Sequence, residues 1–390
     1  AEVHKEFKPN ENVLILYPVK TSADKLSKMA VAGDGTKYRL NSDEYDLLHH
    51  TDNIERITRT EFNLGSRKQI GEYLKKFGWV PTKFTPTGQP MVDETTLKKI
   101  KDIPQALLIA EYLTLQKRIA QIRSWLKNID NQDRVHGFVN TNGTITGRMT
   151  HREPNLAQVP NSNSPYGKEC RACWTVPKDY KLVGIDASGL ELRMLAHYMN
   201  DKEFTNEILH GDIHSSNQKI AGLESRGQAK TFIYAFIYGA GDEKLGTVVK
   251  GGRRDGQRLK QRFLDNLPSL RNLKNRVTRA ASKGHIKGLD GRKIYIRSAH
   301  SALNALLQGG GSIVMKEALH LLNGYIIDNN LDAHFVANIH DEWQIEVLEK
   351  DAKKVGELGV LAIQNAGLEF EMKCPLDGEY NIGDNWSETH

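Results

Sequence analysis

The sequence predicts an α+β fold, and three observations carry that expectation. One long amphipathic helical stretch runs from 103 to 128, two apolar runs each end in an aspartate, and the text between those runs is mostly helical from 201 to about 300. At 390 residues with 39% hydrophobic content, the chain can bury a core and divide into two or three domains. A formal charge of +6 fits a nucleic-acid partner, but many proteins without one are as basic, so charge excludes little. Three cysteines are too few for a disulfide framework and point to a reducing compartment, with the cytoplasm as the expected location. Cys170-Arg-Ala-Cys173 lacks the second ligand pair of a zinc site and reads as small thiols beside a core. No apolar run reaches the roughly 18 residues of a membrane span, so no membrane partner is expected. The N-terminus lacks a signal-peptide pattern and starts at Ala1, as expected of a processed or cut chain.

Taken in order, residues 1–60 mix apolar runs such as Val13-Leu14-Ile15-Leu16 with polar connections, which suggests a few strands or short helices. In the 103–128 stretch, Leu108, Tyr112, Leu115, Ile119, Ile122 and Leu126 recur at spacings of four and three, one face of a helix. Its other face carries Lys117, Arg118, Arg123 and Lys127 and reads as a solvated surface. Residues 137–160 are polar and rich in turn formers, and read as strands and tight loops. Lys181 to Ile185 is apolar and ends in Asp186, followed at once by a helical pattern through Leu190, Leu192 and Leu195, so a strand lifts Asp186 to its tip. Within the helical text, Lys250-Gly-Gly-Arg-Arg-Asp-Gly256 reads as a flexible basic loop, and Asp201-Lys202-Glu203 as a helix cap. Phe335 to Val347 reads as a hairpin turning at His340-Asp341, which lifts a second acid to a strand end.

Two acids at strand tips suit a pair of magnesium ions that must also accept phosphate oxygens. Alone, each aspartate would more often cap a turn or a helix. They are accompanied by Arg226, Lys230, Tyr234 and Tyr238, which helical steps of four bring to one stripe, cations first and aromatics after. A triphosphate can lie along those cations while its base or sugar meets a ring.

These segments resemble the three ordered motifs of family A DNA polymerases: Asp186-Ala-Ser-Gly-Leu-Glu191-Leu-Arg193, the helix from Arg226 to Gly239, and His340-Asp341-Glu342. The text from about residue 60 onward is similar to the replicative polymerases of short-tailed, T-seven-like phages, through Thr146-Gly147-Arg148, Pro154 to Pro160, Gly211-Asp212-Ile213-His214 and Lys287 to Lys293. The ending Asn385 to His390 is similar to that group's natural C-terminus, which places the expected truncation at the N-terminal side.

The resemblance implies a right-hand polymerase fold: an unassigned thumb-associated segment over 1–60, thumb over 61–135, palm over 136–200 and 301–390 with an antiparallel sheet, and helical fingers over 201–300. It implies template-directed primer extension in phage-type DNA replication, by two-metal nucleotidyl transfer with two magnesium ions. Asp186 and Asp341 would hold both metals with the Ala187 carbonyl, and Lys230 would join them in catalysis. His214, Arg226 and Lys230 would hold the triphosphate, Tyr234 the sugar, Tyr238 the neighbourhood of the templating base, and Glu191 would stand where a ribose 2′-hydroxyl projects. Arg148, Gln158, Asn304, Gln308 and His340 would touch primer or template in the minor groove, where acceptors common to all base pairs permit sequence-independent contact. The implied partners are primer–template DNA and deoxynucleoside triphosphates, with a separate exonuclease subunit or a processivity factor as a further partner to look for. Too few residues precede the thumb for the family's proofreading exonuclease, so none is expected in this chain.

Two departures stand out. Ala235 replaces the family's usual Gly after the sugar-contacting aromatic, and Gly309-Gly310-Gly311 interrupts a helical text, where each Gly disfavours a helix by about 1 kcal/mol relative to Ala. That helix is expected to start late or bend. Among competing functions, a single-subunit RNA polymerase shares the aspartates and the cation-tyrosine helix, but Glu191 would collide with a 2′-hydroxyl. A catalytically inactive DNA-binding homologue would have no need of intact Asp186, Asp341 and Lys230. A nuclease would need a second acidic cluster on a buried strand, which Asp201-Lys-Glu203 does not supply.

Overall fold

A computed structural model describes residues 10–21, 23, 25–60 and 62–390, and it divides the chain into two compact units at Ala120/Gln121. Residues 1–9, 22 and 24 of the expected N-terminal segment, and residue 61 at the start of the expected thumb, lie outside the described residues. In the first unit, strands β1 (Asn10–Lys20), β2 (Leu26–Ala32), β3 (Lys37–Arg39) and β4 (Ile54–Thr60) form an antiparallel sheet in the order β3-β2-β1-β4. Between β3 and β4, helix α1 (Ser42–Leu47) starts with a reciprocal cap, in which the Asn41 side chain accepts from Glu44 N and Glu44 accepts from Asn41 N, each at 2.9 Å. Leu16, Ala30, Leu48 and Ile54 form its core. A second cluster joins α2 (Arg67–Lys76), α3 (Glu94–Leu97) and the first half of α4 (Pro104–Leu126) through Ile70, Leu74, Leu97, Ile109 and Leu113.

Helix α4 covers the stretch that the periodicity marks, but its buried face differs from the expected one. Ala106, Ile109, Ala110 and Leu113 point into the core, whereas Leu108, Ile119 and Leu126 are exposed, Leu126 by 61%. The helix is apolar on more than one side, so spacing alone offers two stripes. The alanines at 106 and 110 allow close approach and decide which one is buried.

The second unit is built on an antiparallel sheet in the order β10-β11-β7-β12, made of β7 (Tyr180–Ala187), β10 (Ala333–Ile339), β11 (Glu342–Leu348) and β12 (Gly378–Gly383). Short ribbons are β5 (Phe138–Asn140) with β6 (Thr150–Arg152), and β8 (His285–Lys287) with β9 (Lys293–Tyr295). Helix α5 (Gly167–Ala172) places Cys170 in a cluster with Trp125, Val159, Leu182 and Trp386, while Cys173 is exposed. Residues 190–281 are mostly helical, through α6 (Leu190–Met199), α7 (Lys202–His210), α8 (Ile213–Ala221), α9 (Arg226–Ile237), α10 (Asp242–Gly246), α11 (Arg253–Asn266) and α12 (Pro268–Ala281), but the helical text expected up to about 300 ends there, because β8 and β9 pair across the turn at Gly288 to Gly291. Asp201 caps α7 through a 3.0 Å bond from Phe204 N, as the sequence suggested.

The expected loop over 250–256 is shorter than its composition implies. Helix α11 starts at Arg253, because Asp255 accepts the Gly252 N–H at 2.8 Å and so stops the unpaired first turn from fraying. The expected bend at 309–311 is also absent: α13 (Ala302–Asp328) runs through all three glycines. A Cβ at Gly310 would lie 2.9 Å from Met194 Sδ, and one at Gly311 would lie 3.1 Å from Leu190 Cδ2, so these glycines let α13 pack against α6. The sheet side is closed by α14 (Ala352–Glu369) and the C-terminal α15 (Trp386–Thr389). Among the described residues no helix is long and apolar enough to cross a membrane.

Candidate active site

Asp186 sits one residue from the end of β7, and Asp341 forms a two-residue turn with His340 between β10 and β11. In register, Asp186 lies opposite Glu342 of β11 on one side and Glu379 of β12 on the other. The Ala187 N–H donates to the Asp341 carbonyl at 3.1 Å, which ties the two acidic tips together. His340 holds a φ of +63°, a left-handed conformation that strains a non-glycine residue and aims its neighbour. Burial and the negative charge of Asp341 push the Asp186 carboxyl up to about 7. Burial and Glu191 push Asp341 up to about 6. Neither carboxylate makes an ion pair among the described residues.

Glu342, next in the chain, is held differently. It is 4% exposed, and its Oε1 accepts from Trp386 Nε1 at 2.6 Å and Gln344 Nε2 at 2.7 Å, while His390 Nδ1 lies 2.9 Å from Oε2. Burial opposes its charge, but the bonds from His390, Gln344 and Trp386 win and hold it below the ordinary glutamate range. Sequence reasoning assigned Glu342 no role beyond its motif. Two of its partners, Trp386 and His390, come from the C-terminal residues, a separation that no local pattern reveals.

Helix α9 presents the expected stripe. Ser225 caps it by accepting from Gln228 N at 3.2 Å, Ala229, Phe232, Ile233 and Phe236 are buried, and Arg226, Lys230 and Tyr238 are exposed on the other side with Tyr234 half-buried. Arg226 Nε donates to Asp212 Oδ2 at 2.7 Å, and Asp212 caps α8, whose second residue is His214. The Arg226 guanidinium and the Ser215 hydroxyl hold Asp212 well below the carboxylate range. His214 lies 6.1 Å from the Tyr234 ring, centroid to centroid. Burial and the Arg226 and Lys230 charges lower it, and its Nδ1 is buried without a protein partner. Burial and then Glu191, Asp341 and Asp186 raise the Tyr234 phenol. Glu191 Oε1 accepts from Tyr238 OH at 2.9 Å and from Arg148 Nη2 at 3.3 Å, and burial with that carboxylate pushes Tyr238 up to about 12.

Arg148, Asn304, Gln308 and His340 line one cavity of about 420 Å³, together with His151 and Asn155. Gln158 lies outside that lining, exposed at the end of a short 3₁₀ turn. His151 and Asn155 were missed from sequence; each has a buried polar atom without a protein partner, as does Asn304, so the cavity wall offers unmet hydrogen bonds. Partial burial with Arg148 and His151 lowers His340, which favours the neutral imidazole.

The fold is that of a polymerase domain. The POL domain of Pol1 from M. smegmatis, solved in complex with DNA primer-template and dNTP, matches with a TM-score of 0.76 over 85% of this chain and 62% of that one, at 24% identity. The chain belongs to DNA polymerase family A, whose family model matches residues 40–388. It is 41% identical over 376 residues to the DNA-directed DNA polymerase of Enterobacteria phage T3, and 40% identical over 376 residues to that of Escherichia phage T7. Each alignment covers 86% of this chain and 53% of the relative, so the chain spans about half the length of these curated relatives. DNA polymerase I of Pseudomonas aeruginosa is 28% identical over 358 residues.

Proposed function

We propose that the chain is a template-directed DNA polymerase, which extends a primer with deoxynucleoside triphosphates. The observation that carries this reading is the pair Asp186 and Asp341, two carboxylates at adjoining strand tips that burial and neighbouring carboxylates, Asp341 for Asp186 and Glu191 for Asp341, raise toward neutrality without an ion-pair partner. Such a pair is poised for cations. Among the described residues no third His, Cys, Asp or Glu completes a metal cluster with them, so further oxygens would come from the Ala187 carbonyl, water and the substrate's phosphates. An all-oxygen, partly hydrated donor set fits magnesium. When bound, two such ions would lower the pKa of the primer 3′-hydroxyl and neutralise the departing pyrophosphate.

The chain's own residues supply the rest. Lys230 and Arg226 bind the triphosphate, Arg226 on exchanging Asp212 for phosphate; the primer 3′-oxygen gives its proton to solvent and bonds to the α-phosphorus as the bond from that phosphorus to the bridging α–β oxygen breaks, and Lys230 offers a proton to the departing pyrophosphate. His214 and Tyr234 wall the sugar and phosphates. Glu191, fixed by Tyr238 and Arg148, excludes a 2′-hydroxyl. Arg148, His340, Asn304, Gln308 and the outlying Gln158 contact the primer–template duplex.

We read residues 61–135 as thumb, 136–200 and 301–390 as palm and 201–300 as fingers. The sheet that draws its strands from both expected palm segments, and the helices between them, support that division. The phage relatives' printed activity and the solved neighbour's bound primer-template and dNTP support DNA and nucleotide partners and a part in phage-type replication. A separate exonuclease subunit or processivity factor belongs to the same proposal. Primer extension by the pure chain with deoxy- or ribonucleotides, with and without magnesium, tests it: magnesium-dependent, template-encoded deoxynucleotide addition is expected. Equal use of ribonucleotides would favour the RNA polymerase reading.

A further inference from the structure

A groove of about 660 Å³ lies where the end of α6 meets α12, outside the catalytic constellation. Helix α12 buries Leu270, Leu273, Val277 and Ala281 and turns Asn272, Asn275, Arg276 and Arg279 outward at helical spacing. Across from them stand Asn200, which ends α6 in a left-handed conformation, and Lys373. The lining holds three cations and no carboxylate. The nearest acid in sequence, Asp201, is occupied, because Ser269 Oγ donates to its Oδ2 at 2.6 Å and Phe204 N to its Oδ1 at 3.0 Å. Arg276 is oriented by a 3.0 Å bond from Nη2 to the Tyr198 carbonyl. Glu191 and Asn200 are separated by nine residues of α6, about 14 Å at roughly 1.5 Å per residue, so the groove is distinct from the catalytic centre and a few nucleotides of strand away from it.

We propose that this groove is a second nucleic-acid site, which holds a single strand outside the cleft lined by Arg148 and His340. The cations match a run of phosphates, and the interleaved asparagine amides both donate and accept, as sugars and base edges require. An acidic peptide would meet the cations and, through its backbone, the amides as well; the nucleic-acid reading is favoured because the proposed reaction already brings a polyanionic strand to this chain, and the peptide is an outcome of the test below. The proposal rests on the polymerase reading only for the kind of strand, and its test reads binding rather than synthesis, so the two can fail separately.

The test uses the full chain with its main cleft filled by a hairpin primer–template whose template overhang is a single nucleotide. Binding of a labelled oligothymidine is then followed by anisotropy across a salt series. In the double variant Arg279→Ala, Lys373→Ala, both exposed positions, affinity should fall about tenfold and the slope of log K against log salt by about 1.4, at about 0.7 per lost phosphate contact on a single strand. Arg279→Glu should weaken binding in the same direction, and single-nucleotide addition on the hairpin should stay unchanged in both. Equal affinity and slope in parent and variants would overturn the proposal. So would displacement of the oligothymidine by low-millimolar inorganic phosphate, which would mark a lone-anion site, or by polyglutamate at matched charge concentration, which would mark a peptide site.

Discussion

Glu191 is held at one carboxylate oxygen by Tyr238 at 2.9 Å and Arg148 at 3.3 Å, so its position under the expected sugar is set by residues 43 and 47 places away. Shortening it should remove the obstacle to a 2′-hydroxyl, and Glu191→Ala is expected to admit ribonucleotides at least tenfold more readily, read as the ratio of kcat/KM for ribo- and deoxynucleotide. On the proposed reading, Tyr234 offers its hydroxyl at the other end of the ring. A hydrogen bond there is worth about 0.5 to 1.5 kcal/mol, so Tyr234→Phe should discriminate against dideoxynucleotides by about tenfold where the parent accepts them; an unchanged ratio would remove Tyr234 from the sugar site. The acidic pair makes a prediction about pH. Both carboxyls titrate higher when folded, about 7 and about 6 against 3.8 unfolded, so the unfolded chain binds fewer protons between those values and their contribution to stability is lost as pH rises through 6 to 7. Millimolar magnesium should therefore raise the melting temperature at pH 8 and do little at pH 5, and Asp186→Asn should abolish most of the rise at pH 8. At this scale the sequence was informative: Asp186, Asp341 and the Arg226-Lys230-Tyr234-Tyr238 stripe were legible because strand tips and helical spacing are local. Asp212 as the partner of Arg226, and His151 and Asn155 in the cavity wall, were not, since each depends on a neighbour brought in by folding.

Among the elements, α13 and α4 teach the same lesson from opposite sides. Three consecutive glycines look like a helix break by propensity, yet packing against Met194 and Leu190 outweighs it, and α13 is continuous. Gly310→Ala should gain up to about 1 kcal/mol in propensity and lose about 1 to 3 kcal/mol to the crowding at Met194, a net loss in a denaturant titration. Gly324→Ala on the same helix, where a Cβ would meet nothing within 4 Å, should gain stability instead. In α4 the helix was legible from periodicity, but the buried stripe was not, because a helix apolar on several sides leaves the choice to its neighbours. The N-terminus of α11 was hidden for a third reason: Gly251 and Gly252 mark a break, but the Asp255 cap restarts the helix at Arg253, before the 250–256 loop that composition suggests has ended.

At the scale of the whole molecule, the sheet β10-β11-β7-β12 collects strands from residues 180 to 383 so that two aspartates 155 positions apart share one edge, facing a helix that supplies cations and rings. The order of motifs announces the family, but only the antiparallel register explains why the acids meet. The central claim is that this edge is a metal-dependent centre for nucleotidyl transfer, and single-turnover incorporation of one matched deoxynucleotide, measured beside primer–template affinity, tests it most directly. Asp186→Asn and Asp341→Asn should each slow incorporation by at least a thousandfold, about 4 kcal/mol of barrier, while the Kd for primer–template stays within about threefold of the parent. A rate within tenfold of the parent in either variant would contradict the assignment of the two carboxylates to catalysis.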